Sequence, residues 1–260
     1  MAWGKSAKMS TMAIHTDAGG LDARLVKIPA AGFEMPGYQA MPPTGGPFPV
    51  VLVVHEIFGV NEHIQDVCRR LAKLGYLSLA PDLFRRQGDV SGMTDTREIL
   101  DKVVSKVPDA QVMADLDAAA DFAIQGQGDP GRLGLTGFCW GGRIAWLYAA
   151  HSARLNAAVA WYGRLAGDID RLHPCHPVDI AGQVRCPVLG LYGGRDPSIP
   201  LDQVQRMREA LRWTDRNAEI VVYPDAGHAF HADYRETYNE SAARDGWTRM
   251  REWFRQYCVA

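Results

Sequence analysis

No apolar run in the 260 residues approaches the roughly 18–20 needed to cross a bilayer, so no membrane-spanning helix is expected. The N-terminus, MAWGKSAKMSTMAIHTDAGG, lacks the apolar core of a secretory signal. Cysteine is scarce: five residues, widely and irregularly spaced, argue against a disulfide framework and for a reducing cytoplasm. Charge of neither sign dominates, since 28 Lys and Arg stand against 30 Asp and Glu for a formal net charge of -2. With no basic run, the chain has no electrostatic footprint for nucleic acid or an anionic membrane surface. Internal repeats and low-complexity stretches are also missing.

What remains is an ordinary globular composition, 47% hydrophobic and 22% charged. The length sits at the upper end of what one hydrophobic core supports, so a single domain over residues 1–260 is expected. The first 45 or so residues read as short strands, with Asp17-Ala18-Gly19-Gly20 marking a hairpin. Pro42 to Pro47 is a turn. From Val50 a βα alternation sets in. Val50–Val54 (VVLVV) has the β-branched character of a strand buried on both faces. Ile64, Val67, Cys68, Leu71 and Leu74 are spaced for one helical face, and Gly75 ends that helix.

Further strands are expected at Tyr76–Ala80, Arg132–Phe138, Ala157–Tyr162, Pro187–Tyr192 and Glu219–Tyr223. Helices are expected at Asp109–Ile124, Gly142–Ala150, Leu201–Trp213 and Ser241–Tyr257. Alternation of this kind implies an α/β fold with a mostly parallel sheet and helices on both faces. Ligands in such sheets sit beyond the carboxyl ends of the strands. The irregular stretch 85–108 is a candidate cap over that edge.

Gly137-Phe138-Cys139-Trp140-Gly141 follows an apolar strand and opens a helix, which is the setting of a nucleophile elbow of the form G-x-C-x-G. The turn strains the backbone at Cys139 and leaves no room for side chains two residues to either side. The helix dipole favours a thiolate there. Asp196, in YGGRD, and His228, in DAGH, follow later strands, and the order Cys…Asp…His is the one the α/β-hydrolase fold uses. His228 would take the thiol proton, with Asp196 holding the imidazole. The backbone N–H of Trp140 would be one donor to the developing oxyanion, and that of Ile57, in the loop after VVLVV, the second.

With those residues in place, the sequence resembles the dienelactone hydrolase family, also called carboxymethylenebutenolidases. The resemblance runs from about Val50 to the C-terminus, through HEIFGVN at 55–61, PDLFRRQG at 81–88, GFCWGGR at 137–143, YGGRD at 192–196 and AGHAF at 226–230. It implies an α/β-hydrolase, a cofactor-independent hydrolysis of a small ester or lactone, and a role for Glu56 beside the cysteine in activating it. It also brings a departure. The family clamps a substrate carboxylate with two arginines, one of them four residues after the catalytic histidine, where this chain has Ala232. Arg97 is a loose counterpart of the other, and Arg85, Arg86, Arg143 and Arg235 are the candidate substitutes.

Other features read as structural. Gly4-Lys5-Ser6 lacks the spacing of a phosphate loop. His173, Cys175 and His176 lie in a proline-rich loop without a second ligand cluster, so no metal site is expected. Cys68, Cys186 and Cys258 sit in apolar contexts and read as core. The chain is expected to act as a monomer or homodimer. Competing readings are an acyl-transferring or peptidase-like hydrolase, a non-catalytic binding module, and a thiol redox sensor at Cys139. A binding module has no need of all three residues of a Cys-His-Asp set, and a sensor lacks a nearby resolving cysteine.

Overall fold

A computed structural model describes residues 13–212, 217–257 and 259. The run VVLVV lies in β3 (Phe48–Val54), and all five of its residues are fully buried. Before it come β1 (Asp22–Ala30) and β2 (Phe33–Met41), and after it α1 (Glu62–Lys73) and β4 (Leu77–Pro81). The chain continues through α2 (Thr96–Lys102), α3 (Asp109–Gly126), β5 (Gly128–Phe138), α4 (Trp140–His151), β6 (Ala157–Trp161) and α5 (Pro177–Ile180). It ends with β7 (Val188–Gly193), α6 (Leu201–Leu211), β8 (Ala218–Tyr223) and α7 (Glu240–Gln256). Among the described residues the strands form one eight-stranded sheet in the order β1-β2-β4-β3-β5-β6-β7-β8. From β4 to β8 every neighbouring pair is parallel, while β1–β2 and β2–β4 are antiparallel. This is the α/β-hydrolase arrangement.

The helical spacing after β3 has its expected result. Asn61 caps α1 by accepting from the Ile64 N–H at 3.1 Å, and Ile64, Val67, Cys68 and Leu71 are fully buried. Leu74 differs from expectation: it is the C-cap and is 41% exposed, because the chain has left the helix before its face is completed. The N-terminal hairpin also differs. Its turn is at Ala31-Gly32, both with positive φ, the backbone of a tight two-residue connection between twisted strands. The turn at Gly19-Gly20 instead leads into β1.

β5 begins at Gly128, because Phe48 pairs with Gly128 ahead of a register shift; Pro130 and Gly131 break the alternation and hide this in the sequence. Within 85–108 the chain forms α2, which exposes most of its surface and buries Ile99. Val90, in the same stretch, lies against Gly59 of the loop after β3. Trp213, Cys258 and the Gly4-Lys5-Ser6 segment lie outside the described residues. Among those described, no helix is long and apolar enough to cross a membrane.

Candidate active site

Parallel strands end together, so the loops after β3, β5, β7 and β8 share one edge of the sheet. Glu56 and Ile57 follow β3, Cys139 joins β5 to α4, Asp196 follows β7 and His228 follows β8. The register fixes their spacing: Val54 pairs with Gly137, Phe138 with Trp161, and Gly193 with Tyr223.

Cys139 turns between strand and helix with φ 55° and ψ -112°, a strained conformation for a residue with a side chain. The turn is so tight that a Cβ on Gly137 would come within 2.0 Å of the Gly141 carbonyl oxygen. A Cβ on Gly141 would strike the Val54 and His55 carbonyl oxygens at 2.4 and 2.7 Å. Among the described residues, three of the four non-glycine residues with positive φ are Cys139, Tyr162 and Ala229. Each belongs to this edge, which is where strain concentrates in functional sites.

The three side chains expected to act together are in contact. His228 Nε2 lies 3.2 Å from Cys139 Sγ, and His228 Nδ1 lies 2.7 Å from Asp196 Oδ2. A carboxylate only accepts, so Nδ1 carries a proton. The other Asp196 oxygen accepts from the Ser198 N–H at 2.8 Å, and its side chain has no solvent exposure. Burial disfavours the His228 cation, but the Cys139 charge and the Asp196 hydrogen bond outweigh it and raise the imidazole to about 10.

Glu56 is 1% exposed. Its Oε2 accepts the Tyr234 hydroxyl at 2.6 Å, while Oε1 has no partner among the described residues. The Tyr162 hydroxyl is likewise buried and unpartnered. Burial first, then the charges of Glu56 and Cys139, push its ionisation far upward, so it is a neutral donor beside both. Neither tyrosine was singled out by the sequence. Tyr162 had a signal, as the last residue of an expected strand neighbouring the elbow; Tyr234 had none beyond following His228 by six positions.

The five arginines separate. Arg143 is buried, bonds both Asp109 oxygens at 2.7 Å, and also donates to the Cys175 carbonyl and His176. Arg86 binds Asp115 and the Ala30 carbonyl and stacks over Phe33. In both, an acidic partner on α3 occupies the guanidinium group. Arg85 pairs with Asp89 at the surface, and Arg97 lies in the exposed first turn of α2. Arg235 is half-buried over the Phe58 ring at 5.8 Å, and its charge reaches both Tyr162 and Tyr234. Among the described residues it has no ion-pair partner. His173 is engaged by Asp170 and the Val107 carbonyl, and no group of three His, Cys, Asp or Glu among the described residues could hold a metal.

Comparison with known proteins identifies the family. The family model "Dienelactone hydrolase family" matches residues 35–258. A Methylorubrum extorquens protein named "Putative carboxymethylenebutenolidase" is 61% identical over 248 residues, covering 95% of this chain and 85% of that protein. The crystal structure titled "Putative Dienelactone Hydrolase" from Klebsiella pneumoniae superimposes with a TM-score of 0.90 at 57% identity, over 91% of this chain and 99% of that one. A dienelactone hydrolase-like promiscuous phosphotriesterase from metagenomic libraries follows the same fold, with a TM-score of 0.72 at 25% identity, over 92% of this chain and 99% of that one. On its sequence, its sheet and its overlap with these relatives, the chain belongs to the dienelactone hydrolase family.

Proposed function

We propose that the chain hydrolyses small carboxylic esters or lactones through an acyl-enzyme on Cys139. The observation that carries this reading is the unbroken line of contacts from Cys139 Sγ through His228 to Asp196, at 3.2 and 2.7 Å, on a strained elbow. With the thiol proton already on His228, the sulfur adds as a thiolate to the substrate carbonyl carbon. The oxyanion that forms is received by the N–H groups of Trp140 and Ile57, neither of which donates to another acceptor among the described residues. The C–O bond to the leaving alkoxide then breaks, with His228 returning its proton to that oxygen. In a lactone the leaving oxygen stays attached and the ring opens. Water then adds to the thioester, giving a proton to His228, and the C–S bond breaks to release the acid and restore the thiol.

Glu56 completes the reading as a buried carboxyl group in the loop after β3, the residue to which the family resemblance gives an activating role. Arg235, half-buried over Phe58 with its charge reaching Tyr162 and Tyr234, is the cation we assign to a substrate carboxylate. The names borne by the relatives point to an unsaturated lactone as the substrate class. The test is the Cys139→Ala variant against a panel of short aryl esters and unsaturated lactones. Turnover should fall by about 10⁴-fold or more with the thermal midpoint preserved. With a slowly released acyl group, intact mass should show one acyl addition, mapped to Cys139. A variant retaining more than about a tenth of wild-type turnover rejects the mechanism.

A further inference from the structure

The steps above give no task to the imidazole at the end of β3. His55, between β3 and Glu56, has no solvent exposure, and both of its ring nitrogens are engaged by backbone. Nδ1 lies 2.7 Å from the Glu56 carbonyl oxygen, and the Leu83 N–H lies 3.2 Å from Nε2. A carbonyl only accepts and an amide only donates, so the ring is neutral with its proton on Nδ1. Burial pushes the imidazole below its ordinary range against the opposing charges of Asp82 and Glu56, in keeping with that form. The ring stacks on the Trp140 indole, with centroids 5.5 Å apart and planes 16° from parallel. Phe84 meets both rings edge-on at 4.6 Å.

These contacts bear on the two oxyanion donors. The Glu56 carbonyl and the Ile57 N–H belong to one planar trans peptide unit, so holding the oxygen aims the hydrogen the other way. The same imidazole braces the side chain of Trp140, whose own N–H is the second donor. We infer that His55 is a positioning residue that orients both oxyanion donors through one ring, with its Nδ1–H bond to the Glu56 carbonyl as the decisive contact. The inference rests on the proposed Cys139 mechanism and adds to it a residue that touches neither substrate nor nucleophile.

Substitutions separate the two ring nitrogens. Asparagine offers an amide N–H near the Nδ1 position, and glutamine reaches the Nε2 position to accept from Leu83. His55→Asn should keep the orientation of the Ile57 peptide; His55→Gln and His55→Leu should lose it. On a short aryl ester, kcat should fall about 10²-fold for the Gln and Leu variants, the scale of one lost oxyanion donor, and less than about tenfold for Asn. KM should move by less than about threefold, because the donors act on the transition state more than on bound ester. Iodoacetamide capture of Cys139 forms no oxyanion, so its rate should stay within about twofold of wild type in all three variants. Equal kcat losses for Asn and Gln, a loss carried by KM, or alkylation falling in step with kcat would each overturn the inference. If the Leu variant fails to fold, the Asn and Gln pair decides. Failure of the mechanism itself reads differently: Cys139→Ala would then stay active.

Discussion

Tyr234 donates its hydroxyl hydrogen to Glu56 Oε2 at 2.6 Å, which ties the loop bearing His228 to the loop that carries the expected oxyanion donor Ile57. It is the one hydrogen bond to the Glu56 side chain among the described residues, since Oε1 is buried and bare. Removing the donor leaves a buried carboxylate with two unsatisfied oxygens, a cost of about 1.5–3 kcal/mol for a hydrogen bond to a charged group. Tyr234→Phe should therefore lower stability by about that amount and reduce turnover. In a Glu56→Gln background the same change should cost less, giving a coupling of about 1–2 kcal/mol in a double-mutant cycle measured by urea unfolding. Additive losses would mean that the two residues act independently.

Much of this edge was legible because strand-end position is a property of sequence order. Once VVLVV, the strand before Cys139 and the strands before YGGRD and DAGH are recognised, a parallel sheet must deliver their following residues to one rim. The elbow was legible in two glycines whose missing side chains make room for backbone. What was hidden depends on partners distant in sequence. Arg143 stands four residues from Cys139 but belongs to Asp109, 34 residues away, and no local pattern announces that pair. Arg235 and Tyr234 owe their places to the neighbouring Asp233, which is fixed by His63 and Arg70 from α1. The short helix α2 was hidden because it buries a single apolar residue and so leaves no periodic stripe.

Thiol chemistry should distinguish Cys139 from its neighbours. Cys68 is fully buried, and burial pushes its thiol up to about 12. Burial, then the charge of Asp109, raises Cys175, and Cys186 is 2% exposed. Cys139 is part-exposed and has an imidazole 3.2 Å from its sulfur. One equivalent of iodoacetamide should label Cys139 first, and His228→Gln should slow that labelling by about tenfold or more by removing the proton acceptor. Peptide mapping that finds Cys175 ahead of Cys139 would count against an activated nucleophile.

Asp233 anchors the loop between His228 and Tyr234, and its contribution should vary with pH in a defined direction. Its carboxylate is 4% exposed and accepts from His63, Arg70 and the Ile14 N–H at 3.0–3.1 Å. Burial would raise its ionisation, but the His63 bond and charge, Arg70 and the Ile14 amide outweigh it and lower the group from 3.8 to about 2. The folded value lies below the unfolded one, so the stabilisation is complete above about pH 4 and disappears as pH falls through about 2. Asp233→Asn should cost about 1–2 kcal/mol at pH 7, and the gap from wild type should close near pH 2. Urea titrations at pH 7, 4 and 2.5 would measure it. A gap that stays constant with pH would assign the loss to packing instead of charge.

Substrate charge should be read by Arg235. Arg143 and Arg86 are held by Asp109 and Asp115, Arg85 by Asp89, and position 232 carries an alanine with no solvent exposure. Arg235 lacks an acidic partner among the described residues and reaches toward the two tyrosines around Glu56. A substrate carboxylate beside it gains a charge-assisted bond worth about 1.5–3 kcal/mol, reduced by competition from solvent at a half-exposed guanidinium. Arg235→Gln should lower kcat/KM for a carboxylated unsaturated lactone by about tenfold, equivalent to about 1.4 kcal/mol, while a neutral aryl ester changes by less than about threefold. The loss should fall mainly in KM, because a carboxylate remote from the scissile bond is bound alike in ground and transition states. Arg235→Lys should recover only part of it, since an ammonium keeps the charge but not the planar fork. Parallel losses on the charged and the neutral substrate would show that Arg235 supports the site without reading substrate charge.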